Sequence, residues 1–305
     1  AEKSGGVYTQ NVLDSVTPPT RLLSLDVAEG SENGLLGLAL SPDFAQTGYF
    51  YVYYNVPNEE RKPIESRIVR YQESDNQISE ETTIIADLPA SPEQSYHFGG
   101  ALSFGPDGKL YLIFGDRNMP QAARDPAQLP GSVLRYNPNG TIPADNPFPN
   151  SPVYAYGIRN GFGLTWHPQT GQLYETENGA SCDDELNLIL PGADYGWGVH
   201  AYDTCPYPDD TGEPPLYQWP SIVAPTDLMF YTGTLMPEFQ GDMLVCGFNE
   251  SKLFHFHLGE DGRSVKTVSP VEIPGVYELC RVSLVQGPDG WIYAATSNEL
   301  HRIGR

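Results

Sequence analysis

Residues 101–116 read Ala-Leu-Ser-Phe-Gly-Pro-Asp-Gly-Lys-Leu-Tyr-Leu-Ile-Phe-Gly-Asp: a strand, a tight reversal and a second, wholly apolar strand. Proline sets φ at the entry to the turn, and Asp and Gly tolerate the backbone of the reversal. The same phrase returns along the chain. Gly287-Pro288-Asp289-Gly290 leads into Trp291, Ile292 and Tyr293, and Trp166-His167-Pro168 leads through Gly171 to Leu173 and Tyr174. Ser41-Pro42-Asp43-Phe44 leads through Gly48 to the apolar run 49–54, and a weaker copy runs from Pro237 through Gly241 to Leu244 and Val245. Prolines 42, 106, 168, 237 and 288 lie about fifty to seventy residues apart, the span of one propeller blade or slightly more. Five such hairpins and an irregular N-terminal stretch predict an all-β chain, a six-bladed β-propeller of four-stranded antiparallel blades in one domain, residues 1–305. The chain opens on Ala1–Tyr8 like the second half of a hairpin. The first blade is therefore expected either to be completed by the C-terminal strand or to be incomplete at its N-terminal side.

Composition narrows the function classes. The 31 Gly and 28 Pro recur at turn positions instead of pooling in one tract, which suits many short strands and argues against long helices. With 39 acidic and 17 basic residues the formal charge is −22. Such a surface repels nucleic acid and anionic membranes, keeps the chain soluble and attracts cations, calcium above all. No window approaches the roughly 18 consecutive apolar residues of a membrane span. The cysteines Cys182, Cys205, Cys246 and Cys280 show no zinc spacing. Of three pairings the local one is expected, Cys182–Cys205 and Cys246–Cys280, since each bridge then staples neighbouring segments. That implies a secreted or periplasmic protein.

Three segments could carry chemistry. His97 stands directly before Phe98 and the pair Gly99-Gly100. Glycines there let a ligand or another backbone come close, and the imidazole is either a general base or a structural histidine. Arg159-Asn160, flanked by Gly157 and Gly161, could grip a planar anion through forked hydrogen bonds or close its own loop on a carboxylate. The run 177–185, Glu-Asn-Gly-Ala-Ser-Cys-Asp-Asp-Glu, concentrates hard oxygen ligands that suit calcium, or forms an acidic solvated turn. His200, His255, His257 and His301 show no ligand spacing on a shared element.

In order along the chain, Gly34-Leu35-Leu36-Gly37-Leu38-Ala39, His97-Phe98-Gly99-Gly100, Phe104-Gly105-Pro106-Asp107-Gly108, Leu134 to Pro143, Arg159-Asn160, Asp184-Glu185-Leu186-Asn187 and Tyr195-Gly196-Trp197 resemble the soluble sugar dehydrogenases that depend on pyrroloquinoline quinone (PQQ), the glucose, aldose and sorbosone dehydrogenases. That resemblance implies six blades and oxidation of an aldose or related alcohol by hydride transfer to PQQ, with a sugar substrate and an electron acceptor as partners. By the same resemblance His97 is the base that takes the proton from the sugar's C1 hydroxyl, and Arg159 stabilises the reduced quinone. Asn160 would bond the cofactor, and Gly179 and Ala180 would offer carbonyls to its Ca²⁺. Glu185 and the backbone of Tyr195 look like a second, structural calcium site.

Several positions depart from the family pattern. Glu32 replaces a glutamine before the Gly34 run, Ala180 a proline, and Asn249 a cofactor-binding lysine; Ile222 replaces a threonine or serine. Cys280 and Val282 replace two arginines, leaving Arg281 one residue out of register. Glu32, Asn249 and Arg281 thus join the cofactor-site candidates. Because PQQ carries three carboxylates, the lost cations raise an alternative expectation: a calcium-stabilised propeller that binds another ligand or a protein, without quinone chemistry.

Overall fold

The computed structural model describes residues 1–11, 17–198 and 212–304. The predicted hairpins at Pro42, Pro106, Pro168, Pro237 and Pro288 each join the first two strands of one antiparallel sheet. The first sheet is β3 (Leu35–Leu40), β4 (Tyr49–Pro57), β5 (Pro63–Ser74) and β6 (Gln77–Pro89), preceded by a ribbon of β1 (Gly6–Thr9) and β2 (Thr20–Ser24). The second is β7 (Leu102–Phe104), β8 (Leu110–Phe114), β9 (Ser132–Tyr136) and β10 (Val153–Tyr156). The third is β11 (Gly161–Trp166), β12 (Leu173–Glu177), β13 (Glu185–Ile189) and β14 (Tyr217–Gln218). The fourth is β15 (Pro225–Phe230), β16 (Met243–Gly247), β17 (Lys252–Leu258) and β18 (Val265–Pro270); the fifth is β19 (Ser283–Gln286), β20 (Ile292–Ala295) and β21 (Leu300–Ile303).

First strands stand side by side in chain order, β3 by β7, β7 by β11, β11 by β15 and β15 by β19, so the sheets are the blades of a β-propeller. Middle strands such as β8 (LYLIF), β9 (SVLRY) and β16 (MLVCG) are buried along their whole length, because neighbouring blades cover both faces. Outer strands β6 and β18 alternate or face water.

The turn chemistry is as the sequence predicts. Gly108 N–H closes the Pro106-Asp107 turn on Gly105 O at 2.9 Å, with Gly108 at φ +71°. Asp107 braces the turn by accepting from Lys109 N at 3.0 Å and from Tyr111 Oη at 2.9 Å. In the fifth blade Asp289 does the same with Trp291 N at 3.2 Å and Tyr293 Oη at 2.8 Å.

The blade count differs from the expectation of six four-stranded blades. Among the described residues there are four four-stranded blades, one three-stranded blade and the two-stranded ribbon. The sixth blade was expected from the N-terminal stretch, which carries no Pro-Asp-Gly hairpin. Among the described residues that stretch forms the ribbon β1–β2; its Val7 and Leu23, with Leu25 and Val27 just beyond it, pack with Phe50, Val52 and Tyr71 of the first blade. On the two first strands with one such neighbour each, alternate residues are exposed: Leu38 and Leu40 on β3 and Val285 on β19, while Ala39 and Leu284 are buried.

The predicted bridge Cys246–Cys280 is present, with Cα atoms 5.1 Å apart, tying the end of β16 to the segment entering β19. Cys205, the expected partner of Cys182, and His200 lie outside the described residues. No helix among the described residues is long and apolar enough to cross a membrane.

Candidate active site

Within an antiparallel blade, the segment entering the first strand and the loop between the second and third strands lie at the same end. Glu32, His97, Arg159-Asn160, Val223-Ala224 and Arg281 precede β3, β7, β11, β15 and β19; Asp116, Asn178–Asp184 and Phe248-Asn249 follow β8, β12 and β16. Hydrogen bonds join these segments into one rim. Asp116 N–H donates to Arg159 O at 2.8 Å, and Asn178 Nδ2 donates to Pro225 O at 2.7 Å. Asp184 Oδ2 accepts from Val223 N and Ala224 N, both at 2.7 Å, and its Oδ1 accepts from Gly179 N at 3.1 Å. Asn249 N–H donates to Val223 O at 3.0 Å, and Arg281 Nε donates to Phe248 O at 2.9 Å.

His97 is the most constrained member. It is buried and holds φ +62°, a left-handed conformation that a non-glycine residue adopts only when its surroundings over-determine it. Glu32 supplies that determination: its Oε2 accepts from His97 N at 2.6 Å, Phe98 N at 3.4 Å and Asn160 Nδ2 at 3.1 Å. Asn160 Oδ1 in turn accepts from Gly99 N at 3.1 Å, so both ends of this amide are used within the protein. Gly115 is needed because a Cβ there would meet His97 O at 2.2 Å.

The imidazole is oriented by Asp116, a residue the sequence reading did not single out. His97 Nδ1 lies 2.6 Å from Asp116 Oδ1. The other oxygen of this fully buried carboxylate accepts from Trp197 Nε1 at 2.6 Å, and Oδ1 also accepts from Asn118 N at 2.8 Å. A carboxylate fixed by two other donors is an acceptor, so the proton belongs on Nδ1 and the basic lone pair on Nε2. His97 and Asp116 are 19 residues apart on different loops; the glycine before Asp116 at a strand end was the one local signal.

Arg159 lies beside this pair. Its N–H donates to Glu177 Oε1 at 2.5 Å and Nη1 donates to Asn178 O at 2.8 Å. The guanidinium carbon is 5.3 Å from the Trp197 ring centroid, and Nε is buried without a partner. Tyr195 accepts from Leu190 N and donates to Leu188 O, which seats its ring on the end of β13.

The run 177–185 turns partly inward. Burial and neighbouring Glu175 and Glu185 push the Glu177 carboxyl well up; burial foremost pushes Glu175 to about 8 and Glu185 to about 7. Glu185 pairs across the sheet with Glu177 and Asn187 with Glu175; Glu175 Oε1 and Asn187 Oδ1 have no donor. Among the described residues no three His, Cys, Asp or Glu side chains converge as a metal-ligand set. Asn249 Nδ2 donates to Ile222 O at 3.3 Å, and Arg281 stacks on Phe248 at 4.4 Å, so both brace the far rim. Away from the rim, His255 and His257 share Asp242, at 2.7 and 2.8 Å.

A depression of about 550 Å³ opens at the opposite, turn-bearing end, lined by Leu40, Pro42, Phe104, Pro106 and Trp166. It contains no residue of the His97 rim.

With this rim in view, the chain matches the family model described as glucose/sorbosone dehydrogenase over residues 1–305. The chain belongs to that family. Among relatives of this glucose/sorbosone dehydrogenase family member, aldose sugar dehydrogenase YliI of Escherichia coli is 28% identical over 305 residues, covering 91% of this chain and 79% of its own. A Thermus thermophilus oxidoreductase described as a glucose dehydrogenase superposes with TM-score 0.82 at 34% identity, covering 98% of this chain and 86% of its own. The PQQ-bound aldose sugar dehydrogenase of Streptomyces coelicolor superposes with TM-score 0.79 at 28% identity, covering 97% and 83%.

Proposed function

We propose that this protein oxidises an aldose sugar, or a related alcohol, at a site that binds PQQ and Ca²⁺ on the His97 rim. The observation that carries the reading is His97 itself, with Nδ1 held by the buried Asp116 and Nε2 left as the basic atom. Such a base takes the proton of a C1 hydroxyl as that carbon loses hydride, leaving a lactone, two electrons and two protons. Bound PQQ would supply the hydride acceptor, and an external electron acceptor would regenerate it.

The donor set fits the cofactor. Arg159 offers a buried Nε without a partner, and a cation at this point stabilises negative charge in a partly desolvated site. Among the described residues no hydrogen bond reaches the carbonyls of Gly179 and Ala180, whose oxygens are suitable Ca²⁺ ligands. Glu185 would hold the second calcium with the backbone of Tyr195. Trp197 keeps Asp116 in place and covers Arg159. The Cys246–Cys280 bridge supports a secreted or periplasmic location.

A second reading, a calcium-stabilised binding propeller, is favoured by the amides of Asn160 and Asn249, both of which bond within the protein. One experiment separates the two. The purified chain is incubated with PQQ and Ca²⁺, and dye reduction is followed with a panel of aldoses. Stoichiometric quinone absorbance with sugar-dependent reduction is expected; calcium-dependent melting with no quinone bound at micromolar PQQ sinks the dehydrogenase reading.

A further inference from the structure

Directly after Asp116 comes an arginine with no carboxylate at hydrogen-bond distance among the described residues. Arg117 is fully buried, at φ +57°. Its guanidinium lies between two rings, the carbon 3.9 Å from the Phe98 centroid and 4.2 Å from that of Phe114. Nη2 donates to Tyr53 Oη at 2.6 Å and to Ser66 Oγ at 3.0 Å, while Nε and Nη1 have no partner. Burying an unpaired cation is costly, and a neutral side chain of similar length would fill the space between two rings with less desolvation. What the guanidinium adds is its charge. The carboxylates that act on it through space are Glu32 and Asp116, the two that hold His97.

We propose that Arg117 is a positioning residue for the base: its buried charge balances Asp116, which holds the His97 imidazole, and Glu32, which holds the His97 backbone. This rests on the reading of His97 as the base. The groups that face the pair are few. Glu32 comes from the segment before β3, Asp116 and Arg117 from the loop after β8, and Arg159, whose N–H is held by Glu177, from the segment before β11. Tyr53 of β4 contributes a phenol kept neutral by burial, and Trp197 a neutral indole. Lys3, whose Nζ donates to Gly30 O at 2.7 Å and to Ser31 O at 2.5 Å, lies beside the Glu32 segment; removing Arg117 takes away the buried cation that acts on both carboxylates. Every proton that can enter the group then enters at higher pH.

The test needs no catalytic activity. The Trp197 indole N–H, which donates to Asp116, is assigned by Trp197→Phe, and its NMR shift is titrated in the cofactor-free full chain. In Arg117→Met the midpoint is expected to rise by about one pH unit. Arg117→Lys, which keeps the charge, restores it to within a few tenths, and Tyr53→Phe, which removes only a hydrogen bond, leaves it unchanged. If the Met variant does not fold, Arg117→Gln is read in its place. An unchanged midpoint in the folded neutral variant, a Lys variant that shifts as far as the neutral one, or a signal flat from acid to alkaline pH overturns the proposal. Where dye reduction is measurable, the acid limb of kcat/KM moves in the same direction. A shifted midpoint in a chain that never oxidises sugar keeps the role of Arg117 and removes the dehydrogenase reading.

Discussion

At one end of the propeller lie the Pro-Asp-Gly turns, and at the other the segments that enter the first strands. The turn end repeats: Asp107 and Asp289 each accept from the backbone two residues on and from a tyrosine four residues on. The entry end does not repeat. There His97, Arg117 and Asn118 hold positive φ, Asp116 and Arg117 are buried charges, and Arg159 Nε lacks a partner. Conformational strain and unsatisfied polar atoms lower stability, and both gather at the end where chemistry is proposed. The depression at the turn end is apolar and open; the entry end holds the imidazole oriented by Asp116. Shape alone selects the face that carries none of the His97 rim.

The contrast can be broken by mutation, the largest effect being expected at Asp116. Asp116→Asn leaves one acceptor oxygen and one amide donor where two carboxylate oxygens hold His97 and Trp197, and dye-linked turnover should fall by about 10³-fold. A fall under tenfold would move the base elsewhere. Arg159→Met should cost about 10²-fold in kcat through lost charge stabilisation. A larger effect on sugar KM than on kcat would make it a binding residue instead.

Glu32→Ala removes three acceptor bonds under the His97 loop and should destabilise the fold by about 2 kcal/mol, read by urea unfolding. Unlike a turn substitution, it should also lower activity.

Third-blade carboxylates sharpen the comparison through pH. Burial raises Glu175 to about 8 and Glu185 to about 7, so the stability they favour is complete below the ordinary carboxylate range and is lost as pH climbs through those values. The calcium-free protein should therefore melt lower at pH 8 than at pH 5. Glu175→Gln should flatten that slope, and added Ca²⁺ should restore the melting temperature at the higher pH if Glu185 is a ligand. The smallest effect belongs to the turn end: Asp107→Asn should cost about 1 kcal/mol and leave turnover untouched.

Much of this architecture was legible from residues alone. Proline, Asp and Gly act on their own dihedrals and on neighbours within four residues, so Gly105-Pro106-Asp107-Gly108 announces its hairpin wherever it stands. Wholly apolar runs such as Leu110–Phe114 announce strands covered on both faces. The count of blades was less legible, because the N-terminal stretch lacks the turn signal and, among the described residues, forms a two-stranded ribbon. His97, Arg159 and Asn160 could be marked by glycine neighbours and resemblance. Glu32 was marked as a substitution, but its work beneath the backbone of His97 is done across 65 residues of chain.

Sequence by itself thus determined the repeating hairpins and the all-β class, because each depends on local dihedral preference; it left Cys246–Cys280 an expectation among three pairings, which the structure bears out. Only the tertiary structure decided the pairing of His97 with Asp116, the cage around Arg117 and the end of the propeller at which they meet. Those are contacts between separate loops and blades, and no local pattern encodes a distance that exists only after the strands have packed around their axis.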